Sequence, residues 1–131
     1  MEAHMHNYKP ADHPDVSIYM MASDAEGVID FAKKVLRAEE AMRLAREDGS
    51  IMHAELRIGD SIVMLSQATK EFSGFPIWLH VYVPDVDATY REALEYGATS
   101  AQAPVTKGDT DKRGGVIDGS GNTWWIATAG G

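Results

Sequence analysis

Two histidines and a glutamate are the side chains of this 131-residue chain best suited to chemistry. His53 and Glu55 stand two apart in Met52-His53-Ala54-Glu55-Leu56-Arg57-Ile58, and His80 lies in Ile77-Trp78-Leu79-His80-Val81-Tyr82-Val83. Residues i and i+2 of a strand project to the same face, so the imidazole of His53 and the carboxylate of Glu55 can share a proton or an ion. Two imidazoles and a carboxylate are a ligand set for iron or zinc, which makes His53, Glu55 and His80 candidates for an alternative metal site. A buried glutamate beside a histidine can also act as a general base. The plainer reading is a hydrogen-bonded pair of His53 and Glu55, with His80 apart from it. There is no cysteine, so neither thiolate chemistry nor disulfides are open to the chain.

The other three histidines, His4, His6 and His13, fall in the opening MEAHMHNYKPADHP, which has two prolines and no apolar periodicity. Residues 1–14 therefore read as a flexible, solvated tail ahead of a single domain over 15–131. The formal charge of −8 argues against nucleic acid and anionic membrane as partners, because phosphate is held chiefly by Lys and Arg. No apolar stretch approaches the roughly 20 residues of a membrane span and no basic-then-apolar leader opens the chain, so the cytoplasm is the expected compartment.

Val16 to Ala22 is rich in strand formers. Ser23-Asp24-Ala25-Glu26 then has the form of a capping box, with Ser23 as the cap. Val28, Phe31, Ala32, Val35 and Leu36 follow at the spacing of one helix face. Strands are expected at about 40–46, 51–58 and 61–67, the last two joined by a Gly59-Asp60 hairpin. After a connector at 68–76 the pattern restarts. Ile77 to Val83 is a strand, Asp85 opens a helix carrying Val86, Tyr90, Ala93 and Leu94, and strands follow at about 98–103, 113–118 and 123–128. Offsets of 61 or 62 pair Asp24 with Asp85, Ile29 with Tyr90 and Gly59 with Gly121. The chain is thus an α+β domain of two tandem βαβββ modules, 15–67 and 77–131.

Alternation along the strands sorts the side chains. Apolar Met52, Ala54 and Leu56 belong under the helix, which puts His53, Glu55 and Arg57 on the other face. The two-residue loop sets Arg57 opposite Ile62, Glu55 opposite Met64 and His53 opposite Ser66. Trp78, His80 and Tyr82 project away from Ile77, Leu79, Val81 and Val83, and Ser17 and Tyr19 away from Val16, Ile18 and Met20. Of the adjacent Trp124 and Trp125, comparison of the modules puts Trp125 on the open face. Ser17, Tyr19, Met64, Trp78, Tyr82 and Trp125 are therefore candidate ligand contacts in an aromatic-lined concavity. Arg113, in Asp109-Thr-Asp-Lys-Arg-Gly-Gly115, is a candidate grip for an anionic group or a solvated loop arginine. Arg57 either pairs with Glu55 or lies at the rim. The face is either a pocket or a surface filled by its own side chains or by a second subunit.

The duplication, with the runs His53-Ala-Glu-Leu-Arg-Ile-Gly-Asp60, Leu79-His-Val-Tyr-Val-Pro-Asp-Val-Asp87 and Gly121-Asn-Thr-Trp-Trp-Ile-Ala127, resembles the vicinal oxygen chelate superfamily. Glyoxalase I, bleomycin-resistance protein and extradiol dioxygenases belong to it, and the resemblance is to its PhnB-like branch over about residues 15–128. It implies a curved mixed sheet around an open concave cavity, and a homodimer whose modules pair within or between chains. The metal-ligand positions of the superfamily fall at Ser17, Met64, Trp78 and Trp125, where none of the side chains is a serviceable ligand. No metal and no other cofactor is accordingly expected. The function implied first is binding of a small, planar or aromatic molecule, as in sequestration of the bleomycin-resistance type. A lyase- or dioxygenase-like enzyme using His53, Glu55 and His80, and a dimerising interaction module without a ligand, remain the alternatives.

Overall fold

The computed structural model describes residues 8–130, so His4 and His6 lie outside the described residues. Module one runs β1 (Ile18–Ala22), α1 (Ala25–Val35), β2 (Glu39–Ala45), β3 (Ile51–Ile58) and β4 (Ser61–Gln67). Module two repeats it as β5 (Trp78–Tyr82), α2 (Val86–Tyr96), β6 (Thr99–Thr106), β7 (Lys112–Ile117) and β8 (Thr123–Thr128). Each module is a four-stranded mixed sheet, ordered β1-β4-β3-β2 and β5-β8-β7-β6. The first strand runs parallel to the last of its module, and the other pairings are antiparallel.

The helices start where the sequence places them, but the first is capped differently. Asp24, not Ser23, is the cap of α1, its Oδ1 accepting from Gly27 N at 3.0 Å. A carboxylate one residue further on serves the free N–H groups as well as a serine would. Glu26 is consequently not bent back over the cap, and it forms a two-pronged pair with Arg43 on β2, 2.8 and 2.9 Å. Asp85 caps α2 through Ala88 N, so the paired aspartates of the duplication do the same work twice. The chain leaves α1 through Arg37 at φ 58° and α2 through Gly97 at φ 123°. Only the second has the residue that this left-handed turn favours.

Val28, Ile29, Phe31, Ala32 and Val35 of α1 are buried against Met20, Ala54, Leu56 and Leu65 of the sheet beneath. The hairpin pairs Arg57 with Ile62 and Glu55 with Met64, in the register set by its two-residue loop. As expected of two modules, the strands form two four-stranded sheets, and among the described residues β1 and β5 each have a free outer edge. The residues expected beneath α1 need correction at three positions. Val16 and Ile18 are 84% and 43% exposed, because they line the opening beside that free edge instead. Met52, near the start of β3, is exposed as well.

The modules are held together through their cores. Phe31 of α1 is 2% exposed and its ring lies 5.8 Å from that of Trp124 of β8 and 6.1 Å from that of Tyr96 of α2. Truncating it removes packing in both modules at once. Phe31→Ala should cost about 3–5 kcal/mol in urea unfolding, the range of a full aromatic core position. An effect near zero would mean that the helix face is misassigned.

Candidate functional site

The open face of module one carries a chain of hydrogen bonds. Glu55 sits on the strand between β2 and β4, only 6% exposed, with apolar Met64 and Met42 as its cross-strand neighbours. A carboxylate so placed must have each oxygen occupied by a donor. His53 Nε2 lies 2.8 Å from Oε2, and His13 Nε2 lies 2.6 Å from Oε1. His53 Nδ1 is in turn 3.0 Å from the Tyr19 hydroxyl, which is 2.6 Å from Ser66 Oγ, and Ser66 donates to the carbonyl of Met52 at 2.7 Å.

His53 is thus held from both sides, by the Tyr19 hydroxyl at Nδ1 and by Glu55 Oε2 at Nε2. Burial is the largest single influence on Glu55 and pushes its carboxyl up. The hydrogen bonds from His53 and His13, together with their charge, outweigh it and hold the group below the usual glutamate range.

His13 is the member of this network that the sequence does not point to. It falls in the stretch that reads as a solvated tail, yet its ring is largely covered and reaches Glu55 across 42 positions of sequence. The neighbouring Asp12 accepts from Arg57 NH2 through its carbonyl at 3.3 Å. Arg57 thus holds the N-terminal segment and does not pair with Glu55. The only signal for this in the sequence was that Glu55, at a buried position, needs more donors than His53 can supply.

The open face of module two is aromatic. Trp125 pairs with His80 of β5 and with Gly115 of β7, so these three form one row across the sheet. A Cβ on residue 115 would stand 2.7 Å from ring carbons of Trp125, so the indole lies against the bare backbone of Gly115. Trp78 meets Trp125 edge-on, with ring centroids 5.3 Å apart, and is 73% exposed. His80 and Tyr82 are stacked in the same manner at 4.9 Å. Arg113 Nε donates to His80 Nε2 at 2.9 Å, which leaves the imidazole proton on Nδ1, and its other nitrogens reach Asp109 and Asp111 at 3.4 and 3.2 Å. Arg113 is thereby engaged by two carboxylates and orients His80, rather than standing free for an anion. Tyr82 donates to the same Asp111 at 2.8 Å.

The expected wall is therefore split. Tyr19, His53, Glu55 and Met64 lie on the first sheet, and Trp78, His80, Tyr82 and Trp125 on the second. His80 bonds to Arg113 and is not brought to His53 and Glu55. Among the described residues no three His, Asp or Glu side chains are grouped to hold a metal ion. A cavity of about 810 Å³ lies between the free edges of β1 and β5. Ser17, His80 and Tyr82 line it, with Leu36, Leu79 and Val81 among its apolar residues.

No family model matches the chain. It is 34% identical over 122 residues to an uncharacterized protein of Mycobacterium bovis, covering 85% of this chain and 80% of that one. Among solved structures it superposes on a PhnB protein from Bacillus cereus with a TM-score of 0.70 at 15% identity, over 88% of this chain and all of that one. TnmS3, an antibiotic binding protein from Streptomyces sp. CB03234, gives 0.69 at 16% identity over 89% and 99%. A glyoxalase/bleomycin resistance protein/dioxygenase superfamily member from Sphaerobacter thermophilus gives 0.67 at 16% over 86% and 94%. This is a vicinal oxygen chelate fold protein, in one family with the mycobacterial chain.

That superfamily is named for a metal centre, and the donors present here do not fit one. Ser17, Met64, Trp78 and Trp125 offer a hydroxyl, a thioether and two indoles, against the imidazole and carboxylate that divalent ions require. Across the strands Met64 faces Tyr19 and Glu55, and Trp125 faces His80 and Gly115; the two good ligands among these, Glu55 and His80, lie on different sheets.

Among the described residues no helix is long and apolar enough to cross a membrane. The Glu55 network has a testable pH dependence. Its carboxyl titrates lower in the folded chain than in the unfolded one, so the pairing stabilises the fold at neutral pH and the contribution is lost as pH falls through the folded value. Glu55→Gln should be less stable than the parent at pH 7 in urea unfolding. The gap should narrow on acidification below the ordinary glutamate value of about 4.3.

Proposed function

We propose that this protein binds a small planar or aromatic molecule against the aromatic face of module two, without the aid of a divalent metal. The observation that carries this reading is the Trp78–Trp125 pair, seated over Gly115, with one indole largely open to solvent. Offset and edge-on contacts between aromatic rings contribute about 0.5–1.5 kcal/mol beyond area burial, so two tryptophans with Tyr82 make a strong platform for a flat ligand. His80, oriented by Arg113, supplies a hydrogen bond beside it. The adjoining cavity is of the size that small ligands occupy and is mostly apolar. The antibiotic binding role of TnmS3, on the same fold, agrees with this reading.

We further infer a homodimer. Two strand edges without a neighbour, and exposed Val16, Phe72, Phe75, Trp78 and Tyr82, favour a second copy as the cover for part of this surface.

Trp78→Ala tests which of these roles the indole fills. Against a planar aromatic compound found by fluorescence screening, the variant should bind about 2–10-fold more weakly, the equivalent of one lost ring contact. Light scattering should find its oligomeric state unchanged. Dissociation of the dimer with ligand affinity intact would make the face an interface and overturn the binding reading.

A further inference from the structure

Glu55 is held by two imidazoles of different standing. His53 is two residues away on the same strand, and Tyr19 and Ser66 lock it from its other side. His13 comes from a segment with no regular structure, tied to the sheet by its own contact and by the Asp12 carbonyl on Arg57. Among the described residues the other links of that segment, Tyr8 and Lys9 to Asp15 and the His13 N–H to the Pro10 carbonyl, are internal to it. His13 also enters at a penalty, because its Nδ1 is buried with no hydrogen-bond partner among the described residues. A buried polar atom without a partner loses its hydration and gains nothing in exchange, a weakness in a network whose other members are paired.

An occupant that offers one N–H to Glu55 Oε1 and has no second polar atom to bury unpaired would fit this position better than His13 does. We propose that Glu55 Oε1 is a subsite for the N–H of a planar nitrogen heterocycle, and that the His13 imidazole fills it as an internal stand-in until such a ligand displaces it. The ligand class follows from the geometry. The ring of His13 is itself a flat N–H heterocycle at 2.6 Å from the carboxylate, and Met64 and then Tyr19 continue the same row across the sheet from Glu55. Opening the subsite means releasing residues 12 and 13 from β3, which breaks the His13 and Arg57 contacts and leaves the Ser66–Tyr19–His53–Glu55 chain whole.

The proposal takes the planarity of the ligand from the binding function above but concerns the other sheet, so the two can fail separately. Indole, with one N–H and no other polar atom, is the probe, and 1-methylindole, with its N–H blocked, is the control. Both are titrated into the full-length protein and into His13→Ala, with histidine side-chain nitrogen spectra as the readout. Indole should shift the His13 ring resonances of the parent to those of a solvated side chain while the tryptophan signals report any binding at module two. His13→Ala should bind indole roughly 5–10-fold more tightly, as expected when a mostly closed state no longer has to be opened. The methylated control should gain nothing, and Glu55→Gln in the His13→Ala background should remove most of the gain. If His13→Ala binds indole no better than the parent, or binds both probes equally, the subsite proposal is wrong. If neither compound, nor any other planar probe, perturbs Trp78 or Trp125, it is the aromatic-face function that fails.

Discussion

Trp124 donates its indole N–H to Asp118 across 2.8 Å in a core that excludes water, and much of the molecule is organised around that bond. Asp118 also accepts from the backbone of Ser120 and Asn122 and from the Asn122 amide, so its carboxylate is fully engaged. A buried carboxylate deprived of such partners costs several kcal/mol, which keeps the 118–122 turn in one conformation. Asn122 Oδ1 in turn accepts from Ile77 N at 3.0 Å and so sets the start of β5. Phe31 of the first module packs on the same Trp124, and Ser120 Oγ accepts from the Asp24 N–H at the head of α1. One buried cluster thereby joins the modules and aligns the strand that bears Trp78 and His80.

The same bond decides the character of the open face. Neighbouring residues on a strand point in opposite directions, so burying Trp124 beneath the helices obliges Trp125 to face out. Gly115 is what lets it lie down there, since any side chain at that position would collide with the ring. Trp125 and Trp78 then meet edge-on on that face. Module one has kept the same row of positions but filled it with Tyr19, Met64 and Glu55. One scaffold thus carries an acid–imidazole network on one sheet and an aromatic platform on the other, a division that strand-face residues alone can effect.

How far this could be read from the sequence depended on whether the determinant was local. The face of α1 and the hairpin register follow from spacings of three, four and two residues, and both agree with the structure. The Ser23 cap failed because Asp24 competes for the same N–H groups one position on, and the two are nearly equivalent by residue type. Val16 and Ile18 read as core because their alternation is that of a covered strand. That β1 is left at an open edge depends on how the modules pack. The separation of His80 from His53 and Glu55 is likewise a matter of sheet assignment, invisible to periodicity. His13 is the extreme case, a loop residue joined to a strand 42 positions later with no pattern between them.

The central claim is that the tryptophans of the open face, and not the buried one, receive a ligand. The protein has three tryptophans, so its indole N–H groups give three nitrogen-resolved signals, assignable by single substitution to Phe. A panel of planar aromatic compounds titrated into the isotope-labelled protein tests the claim most directly. The account predicts that a binding compound moves exposed Trp78 and half-buried Trp125 together and saturably, and leaves Trp124 in place behind Asp118. Compounds that bind the protein while Trp78 and Trp125 both stay unmoved would contradict it.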